Sequence, residues 1–256
     1  MKCGTETGQE YMPRINNYIA KVRPDKNENT DISIILISSM NYKMKSYGPR
    51  ELLKLNCGRT FIDYQIQTLR NVFPTSEIIL SVGQDVDKIV KNKPYKLKIV
   101  ENQLWETTNN AEYARLALNA SVTDKVILID SDVYFDLVAI QHLQKIKSSC
   151  FLYDDSDRLP QDEVGMLVID GCTTVFSFQH KAKWCHLAQL VGDDLEYFKK
   201  LLADKNRKKQ LLFEVFNSLV DRKHIPAEKT LSKVIYRVET SRDFEKIKNE
   251  TQNINS

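Results

Sequence analysis

The chain has 256 residues, of which 42% are hydrophobic and 28% charged, and its 37 basic and 34 acidic side chains leave a formal net charge of +3. This composition is typical of a folded globular protein and excludes an intrinsically disordered chain. The near balance of charges does not indicate nucleic acid as a partner, and no apolar run is long enough to span a membrane.

The N-terminal thirty residues differ in character from the rest of the chain. Residues 1–30 are mostly polar and end in the linker-like sequence RPDKNENT. Apolar residues between positions 11 and 22 share one face of a helix. We interpret this segment as an N-terminal arm that docks on its own domain, on a protein partner or on a second copy of the chain. Residues 31–256 are then the main α/β domain.

The cellular compartment is predicted from two features. The N-terminal segment lacks the apolar core of a signal peptide. The five cysteines are an odd number without Cys-x-x-Cys spacing, a pattern typical of free thiols in a reducing compartment. We therefore expect a cytoplasmic protein.

Strand and helix patterns alternate through the first half of the domain. Strands are predicted at 32–37, 77–82, 96–100, 125–130 and 150–153, and helices at 60–72, from about 85, at 110–120 and at 137–146. Thr60 and Asp63 have the spacing of a capping box at the start of the first helix. The alternation predicts a mostly parallel, twisted sheet with helices on both faces.

The second half of the domain has a different pattern. Two strand-like runs flank Asp170 and Gly171, which are typical of a hairpin turn. Helices are predicted at 181–190, 193–203 and 210–220, followed by a last strand at 233–239 and a last helix at 241–250. Ser241 is the expected N-cap of that last helix.

The strand at 125–130 ends in Asp130, Ser131 and Asp132. In parallel α/β sheets, ligands bind beyond the carboxyl ends of the strands. Two acids one residue apart at that edge are suitable oxygen ligands for Mg²⁺ or Mn²⁺, which would bridge nucleotide phosphates. The alternative is that one acid caps the next helix and the other is solvated.

The loop after the first strand lies where many α/β enzymes hold a nucleotide phosphate. Such loops usually contain glycines, but here the loop from Ser38 to Lys43 contains none. The next glycine along the chain is Gly48. Glycine lets backbone N–H groups approach phosphate closely, whereas Asn41 tolerates a left-handed turn and Met40 adds bulk.

Five segments in order resemble the sugar-phosphate nucleotidyltransferases: YGPRELLKLNCGRTFIDYQI, EIILSVG, VENQLWETTNNAEYARLAL, VILIDSD and YRVETSRDFEKI. The third resembles the phosphocholine cytidylyltransferase branch of that family. The resemblance covers residues 32–247 and is weak at 151–229. It implies a GT-A or Rossmann-like fold of the nucleotide-diphospho-sugar transferase type. It also implies transfer of NMP from an NTP to a sugar phosphate or alcohol phosphate, with pyrophosphate released.

The resemblance also implies roles for individual residues. Asp132 matches the first metal-binding aspartate, Glu239 stands at the second, and Asp130 lies beside them, so Mg²⁺ is the expected cofactor, with Mn²⁺ as the alternative. Arg50 stands where the family has a phosphate-contacting lysine, and Lys43 where a loop arginine neutralises the leaving pyrophosphate. Six further residues are assigned to nucleotide binding: Ser38, Ser39, Asn41, Gly83, Asn109 and Asn110.

Three departures from the family pattern leave other functions open. The loop lacks its glycines, the Pro-Lys pair is Pro49-Arg50, and the second metal aspartate is Glu239. One alternative is a non-catalytic structural or assembly protein built on this fold. The other is a GT-A glycosyltransferase whose Asp130-Ser131-Asp132 motif binds a nucleotide-sugar, although the segment from Gly48 to Ile66 has no evident role there.

Overall fold

The computed structural model describes residues 30–38, 42–92, 97–156 and 163–252. The predicted arm, except Thr30, and the loop residues Ser39 and Asn41 lie outside the described residues, so what we expect of them stays a prediction.

The helices of the described residues correspond to seven of the eight predicted ones, in the same order. They are α1 (Phe61–Val72), α2 (Val86–Asn92), α3 (Asn110–Ala120), α4 (Leu137–Lys145), α5 (Asp193–Ala203), α6 (Leu212–Val220) and α7 (Ser241–Gln252). Short 3-10 helices form at Tyr42–Tyr47, Arg50–Leu52 and Lys205–Lys209.

The strands are more numerous than predicted. They are β1 (Ser33–Ile37), β2 (Glu77–Val82), β3 (Lys98–Glu101), β4 (Lys125–Asp130), β5 (Val133–Phe135), β6 (Cys150–Asp154), β7 (Val164–Ile169), β8 (Cys172–Phe178), β9 (Ala182–Val191), β10 (Ile225–Lys229) and β11 (Ile235–Arg237).

Nine of the strands in the described part of the chain form one sheet, in the order β3-β2-β1-β4-β9-β6-β10-β8-β7. Strands β1 to β4 are parallel, with Ile35 opposite both Ile79 and Leu128. Strand β9 is antiparallel to both β4 and β6, and β7 and β8 form the predicted hairpin. Strands β5 and β11 pair separately as a two-stranded ribbon.

Helices cover both faces of the sheet, which confirms the predicted α/β fold. Because side chains alternate along a strand, Ile34 and Leu36 of β1 face one core while Ile35 and Ile37 face the other. Helices α1, α2 and α4 pack on the first face, and α3, α5 and α6 on the second. A third cluster packs α7 against the β5–β11 ribbon.

The helix predicted at 181–190 is wrong, because these residues belong to strand β9. Seven consecutive β9 residues, from Trp184 to Leu190, are buried. A central strand covered on both faces has a continuous apolar run, which periodicity alone does not distinguish from a buried helix. His186, with φ of 58°, also interrupts the regular strand backbone.

The predicted N-cap of the last helix is also corrected. The N-cap of α7 is Thr240 rather than Ser241, since the Thr240 hydroxyl accepts from the Asp243 backbone N–H at 3.3 Å. The Asp243 carboxylate accepts in return from the Thr240 backbone N–H at 2.9 Å, as in a capping box.

Strand β10 is absent from the sequence prediction, because its sequence IPAEK contains a proline and little apolar alternation.

None of the helices in the described ranges combines the length and the apolar character that crossing a membrane requires.

Candidate functional site

The turn after β4 is buried and held by neighbouring side chains. The register of β1 and β4 places their carboxyl ends side by side. The Ser131 hydroxyl donates to Glu51 Oε1 at 2.8 Å, and Gln65 Nε2 donates to the backbone carbonyls of Ser131 and Val133 at 3.1 and 2.8 Å. Helix α1 and the 3-10 helix at Arg50–Leu52 therefore fix the backbone from which Asp132 projects.

Asp132 is enclosed by two arginines. Arg50 Nη1 donates to Asp132 Oδ2 at 2.7 Å, and Arg237 Nε donates to the same oxygen at 3.2 Å. The side chains of Arg50 and Asp132 are only 5% and 2% exposed. Arg50 Nη1 also donates to the Val238 carbonyl at 3.1 Å, and the Val238 N–H donates to the Asp132 carbonyl at 2.8 Å. Segments that are far apart in the chain thus meet at one carboxylate.

Glu239 extends this network toward solvent. Its Oε1 lies 2.6 Å from Arg237 Nη1, and its Oε2 accepts from Lys43 Nζ at 3.2 Å. The Lys43 side chain is 59% exposed, in contrast to the buried Arg50. Lys43, Arg50, Asp132, Arg237 and Glu239 form one chain of ion pairs, which we call the ion-pair network.

The arginines control the protonation of Asp132. Burial by itself would raise the pKa of this carboxyl, but Arg50, then Arg237 and His186, outweigh burial and lower the pKa to about 2. Burial would likewise lower the pKa of Arg237, and the carboxylates of Asp132, Asp130 and Glu239 raise it instead. Both groups are therefore charged at neutral pH.

Asp130 has a separate partner. Its Oδ2 lies 2.8 Å from His186 Nδ1, and both side chains are buried. The His186 ring lies 4.3 Å from the Trp184 ring, centroid to centroid. His186 and Arg237 also line a narrow surface cleft with Lys183, Trp184 and other residues.

The remaining residues assigned to nucleotide binding have structural contacts. Ser38 donates its backbone N–H to the Ser81 carbonyl at 2.9 Å. The Asn109 side chain caps α3 by accepting from the Asn110 N–H, and Asn110 Oδ1 accepts from the Leu212 N–H at 2.7 Å. Asn110 thus joins α3 to α6 in this structure.

Gly83 follows β2 and lies against two aromatic side chains. A Cβ at this position would collide with the Tyr113 hydroxyl and with Trp105 Cβ. The close approach of these two side chains therefore requires glycine at position 83.

The donor set, as arranged, does not fit the expected Mg²⁺ or Mn²⁺. Mg²⁺ prefers an octahedral set of oxygens, commonly one or two carboxylates with waters and substrate phosphates. Asp132 Oδ1 is buried and has no hydrogen-bond partner in the described ranges, but Asp132 Oδ2 and both Glu239 oxygens face cationic side chains. Within these ranges, no group of three or more His, Cys, Asp or Glu residues is arranged to hold a metal ion.

Sequence reasoning missed two residues of this region, Arg237 and His186. Arg237 lies two positions before Glu239, so strand alternation would have placed both on one face and could have drawn attention to it. His186 had no such signal, because it was assigned to a predicted helix that is in fact β9.

Comparison with known proteins shows which solved structures share this fold. No protein-family model matches the chain, and no curated protein matches it in sequence. CTP:phosphocholine cytidylyltransferase from Streptococcus pneumoniae is 16% identical with a TM-score of 0.66, and the match covers 86% of this chain and 99% of that one.

Two further structures are similar. The inositol-1-phosphate CTP transferase from T. maritima has a TM-score of 0.72 at 16% identity, with 88% of this chain and 96% of that chain covered. The nucleoside-diphosphate-sugar pyrophosphorylase from Vibrio cholerae has a TM-score of 0.67 at 11% identity, with 85% and 99% covered. This chain therefore has the sugar-phosphate nucleotidyltransferase-like fold that its sequence motifs predict.

Proposed function

We propose that this chain is a nucleotidyltransferase that binds an NTP and a small phosphorylated acceptor at the carboxyl edge of β1 and β4. It would transfer NMP to a sugar phosphate or alcohol phosphate and release pyrophosphate. The observation that carries the proposal is the convergence of residues chosen from separate motifs. Arg50 contacts Asp132, and Lys43 contacts Glu239 across 196 positions of sequence.

The proposed reaction needs positioning and charge stabilisation. A phosphate oxygen of the acceptor attacks the α-phosphorus of the NTP, and the bond from that phosphorus to the oxygen bridging to the β-phosphate breaks. The attacking oxygen is already ionised at neutral pH, so no general base is required. Arg50, inside the site, and Lys43, at its exposed side, supply positive charge for the phosphates and the leaving pyrophosphate.

The family resemblance implies Mg²⁺ as the cofactor, with Asp132, Glu239 and Asp130 as its candidate ligands. Asp132 and Glu239 are both paired with cationic side chains in this structure. Charge stabilisation is therefore assigned to Arg50 and Lys43, and no reaction step takes place at a metal. The assay therefore includes arms with Mg²⁺, with Mn²⁺ and with EDTA.

The acceptors to test come from the structural neighbours. These neighbours include a CTP:phosphocholine cytidylyltransferase and an inositol-1-phosphate CTP transferase. We therefore expect phosphocholine, inositol 1-phosphate and glucose 1-phosphate to represent the relevant acceptor classes.

We also propose a reducing, cytoplasmic location, because Cys57, Cys150, Cys172 and Cys185 are free thiols.

The experiment measures NTP binding and pyrophosphate release for CTP, UTP, ATP and GTP with each acceptor. We expect turnover with at least one pair, and Lys43→Ala should lower it about tenfold or more, since removing one stabilising charge commonly has that effect. The matched control is Lys91→Ala, an exposed lysine on α2, which should leave turnover unchanged. Failure of the folded protein to bind any NTP at millimolar concentration would sink the proposal.

A second candidate is a non-catalytic structural or assembly protein, with residues 1–30 docking on a protein partner or on a second copy. The favouring observation is that Asp132 and Glu239 are both paired with cationic side chains of the chain itself. The absence of NTP binding in the same assay would favour it. Binding of a UDP-sugar with Mn²⁺, but not of NTP, would instead favour the glycosyltransferase alternative.

A further inference from the structure

One guanidinium group joins the two carboxylates that the sequence assigns to a shared metal. Arg237 Nε donates to Asp132 Oδ2 at 3.2 Å, while Arg237 Nη1 lies 2.6 Å from Glu239 Oε1. The fork of an arginine side chain suits this bridging geometry, since its several N–H donors lie in one plane.

The backbone holds Arg237 in this position. Strand β11 pairs antiparallel with β5, with Arg237 directly opposite Val133. The next residue, Val238, donates its N–H to the Asp132 carbonyl at 2.8 Å. The Val238 carbonyl accepts from Arg50 at 3.1 Å. Arg237 is therefore placed by the ribbon beside Asp132, and its side chain is only 25% exposed.

The carboxylates of the ion-pair network already face at least as much positive charge as they carry negative charge. Lys43, Arg50 and Arg237 carry three positive charges, and Asp132 and Glu239 carry two negative charges. A divalent ion on the same carboxylates would add two uncompensated positive charges beside two guanidinium groups. At the Asp132 end of the network, where Arg50 and Asp132 are buried, such like charges repel strongly. Three of the four carboxylate oxygens of this pair already face cationic side chains, and the fourth, Asp132 Oδ1, is buried without a hydrogen-bond partner in the described ranges.

We infer that the guanidinium group of Arg237 takes the place of a divalent metal ion between Asp132 and Glu239. Two consequences follow. The wild-type chain does not bind Mg²⁺ or Mn²⁺ at these carboxylates, and removal of the positive charge at position 237 uncovers a metal site. Neither consequence depends on nucleotidyl transfer, because both concern the metal alone.

The test is a titration of the full chain with Mn²⁺ alone, followed by electron paramagnetic resonance and calorimetry. We expect no Mn²⁺ binding by the wild-type chain below millimolar concentration. Arg237→Gln, which keeps a polar side chain but removes the charge, should bind Mn²⁺ at least tenfold more tightly. Adding Asp132→Asn to Arg237→Gln should abolish that gain.

Two control variants separate charge from other effects. Arg237→Lys keeps a positive charge and should not gain Mn²⁺ affinity. Arg242→Gln removes an exposed arginine on α7 and should behave like the wild type. A folded Arg237→Gln variant without any gain would overturn the inference. Micromolar Mn²⁺ binding by the wild-type chain that Asp132→Asn removes would also overturn it, and this second measurement does not require the Arg237 variants to fold.

Discussion

Asp132 shows how a buried charge is accommodated in this protein. Its carboxylate lies within 3.2 Å of two guanidinium groups while its side chain is 2% exposed. The desolvation cost of such a charge is offset only while its partners remain in place. Asp132 therefore contributes to stability in a way that depends on pH.

The first prediction concerns stability in acid. The folded-state pKa of Asp132 is lowered to about 2, below its unfolded value, because Arg50 and Arg237 outweigh the opposing effect of burial. A group with a depressed pKa contributes stability above its unfolded pKa and loses that contribution as pH falls through the folded pKa. We expect about 2 kcal/mol of unfolding free energy to be lost between about pH 4 and pH 2. Urea titrations across this range measure it.

The matched control is Asp132→Asn, which keeps the shape of the side chain but cannot titrate. This variant should be less stable than the wild type at neutral pH, by about 3 kcal/mol or more, because Arg50 is left buried without its carboxylate. Its stability should also change less between about pH 4 and pH 2. An unchanged acid profile in Asp132→Asn would contradict the assignment.

Local sequence signals were sufficient for several elements. Strands β2 and β4 and helix α3 begin and end at the predicted residues. Helix α1 has the predicted capping box of Thr60 and Asp63. These elements combine regular apolar spacing with polar end signals, so nearby residues specify them. Strand β9 was missed because burial on both faces removes the alternation on which a strand prediction depends.

Helix α6 and strand β8 are joined by one side-chain amide. Asn217 Oδ1 accepts from the Phe176 N–H at 2.7 Å, and Asn217 Nδ2 donates to the Phe176 carbonyl at 2.9 Å. Strand β10 pairs with β8 only near Thr173 and Cys172. On the side of β8 opposite β7, the amide of Asn217 therefore takes the place of β10 at Phe176.

The second prediction is that Asn217→Ala destabilises the protein. The change leaves the Phe176 N–H and carbonyl without this partner, which should cost about 1–3 kcal/mol of unfolding free energy. Chemical denaturation measures the cost. Asn119→Ala, at an exposed position on α3, is the control and should change stability by less than about 0.5 kcal/mol. Equal effects of the two changes would contradict a specific role for the Asn217 contacts.

At the scale of the whole molecule, an aromatic cluster joins the sheet to the helices on one face. Phe216 of α6 lies between Phe151, Phe198 and Trp184, with ring centroids 4.9, 4.8 and 5.8 Å away. These rings come from β6, α5 and β9, so the cluster links the antiparallel part of the sheet to its helical layer.

The third prediction is that Phe216→Ala causes a large loss of stability. Phe216 is fully buried, and truncation should cost about 3–5 kcal/mol through lost burial and a residual cavity. Far-UV circular dichroism during urea unfolding is the suitable measurement, because Trp184 fluorescence will itself respond to the change. Phe213→Ala, on the same helix but only partly buried, should cost clearly less. A cost below about 1 kcal/mol for Phe216→Ala would contradict the central role of the cluster.

Sequence patterns alone predict the parallel half of the sheet and the acidic end of β4, and they draw attention to the charged residues Lys43, Arg50, Asp132 and Glu239. Periodicity, capping and motif order act over short stretches or fixed spacings, so they can be recognised without coordinates. The pairing of these charges becomes visible in the folded chain. Arg237 reaches Asp132 across 105 positions and His186 reaches Asp130 across 56. Such pairings depend on how the strands and the β5–β11 ribbon assemble in space, and no local pattern of residues records them.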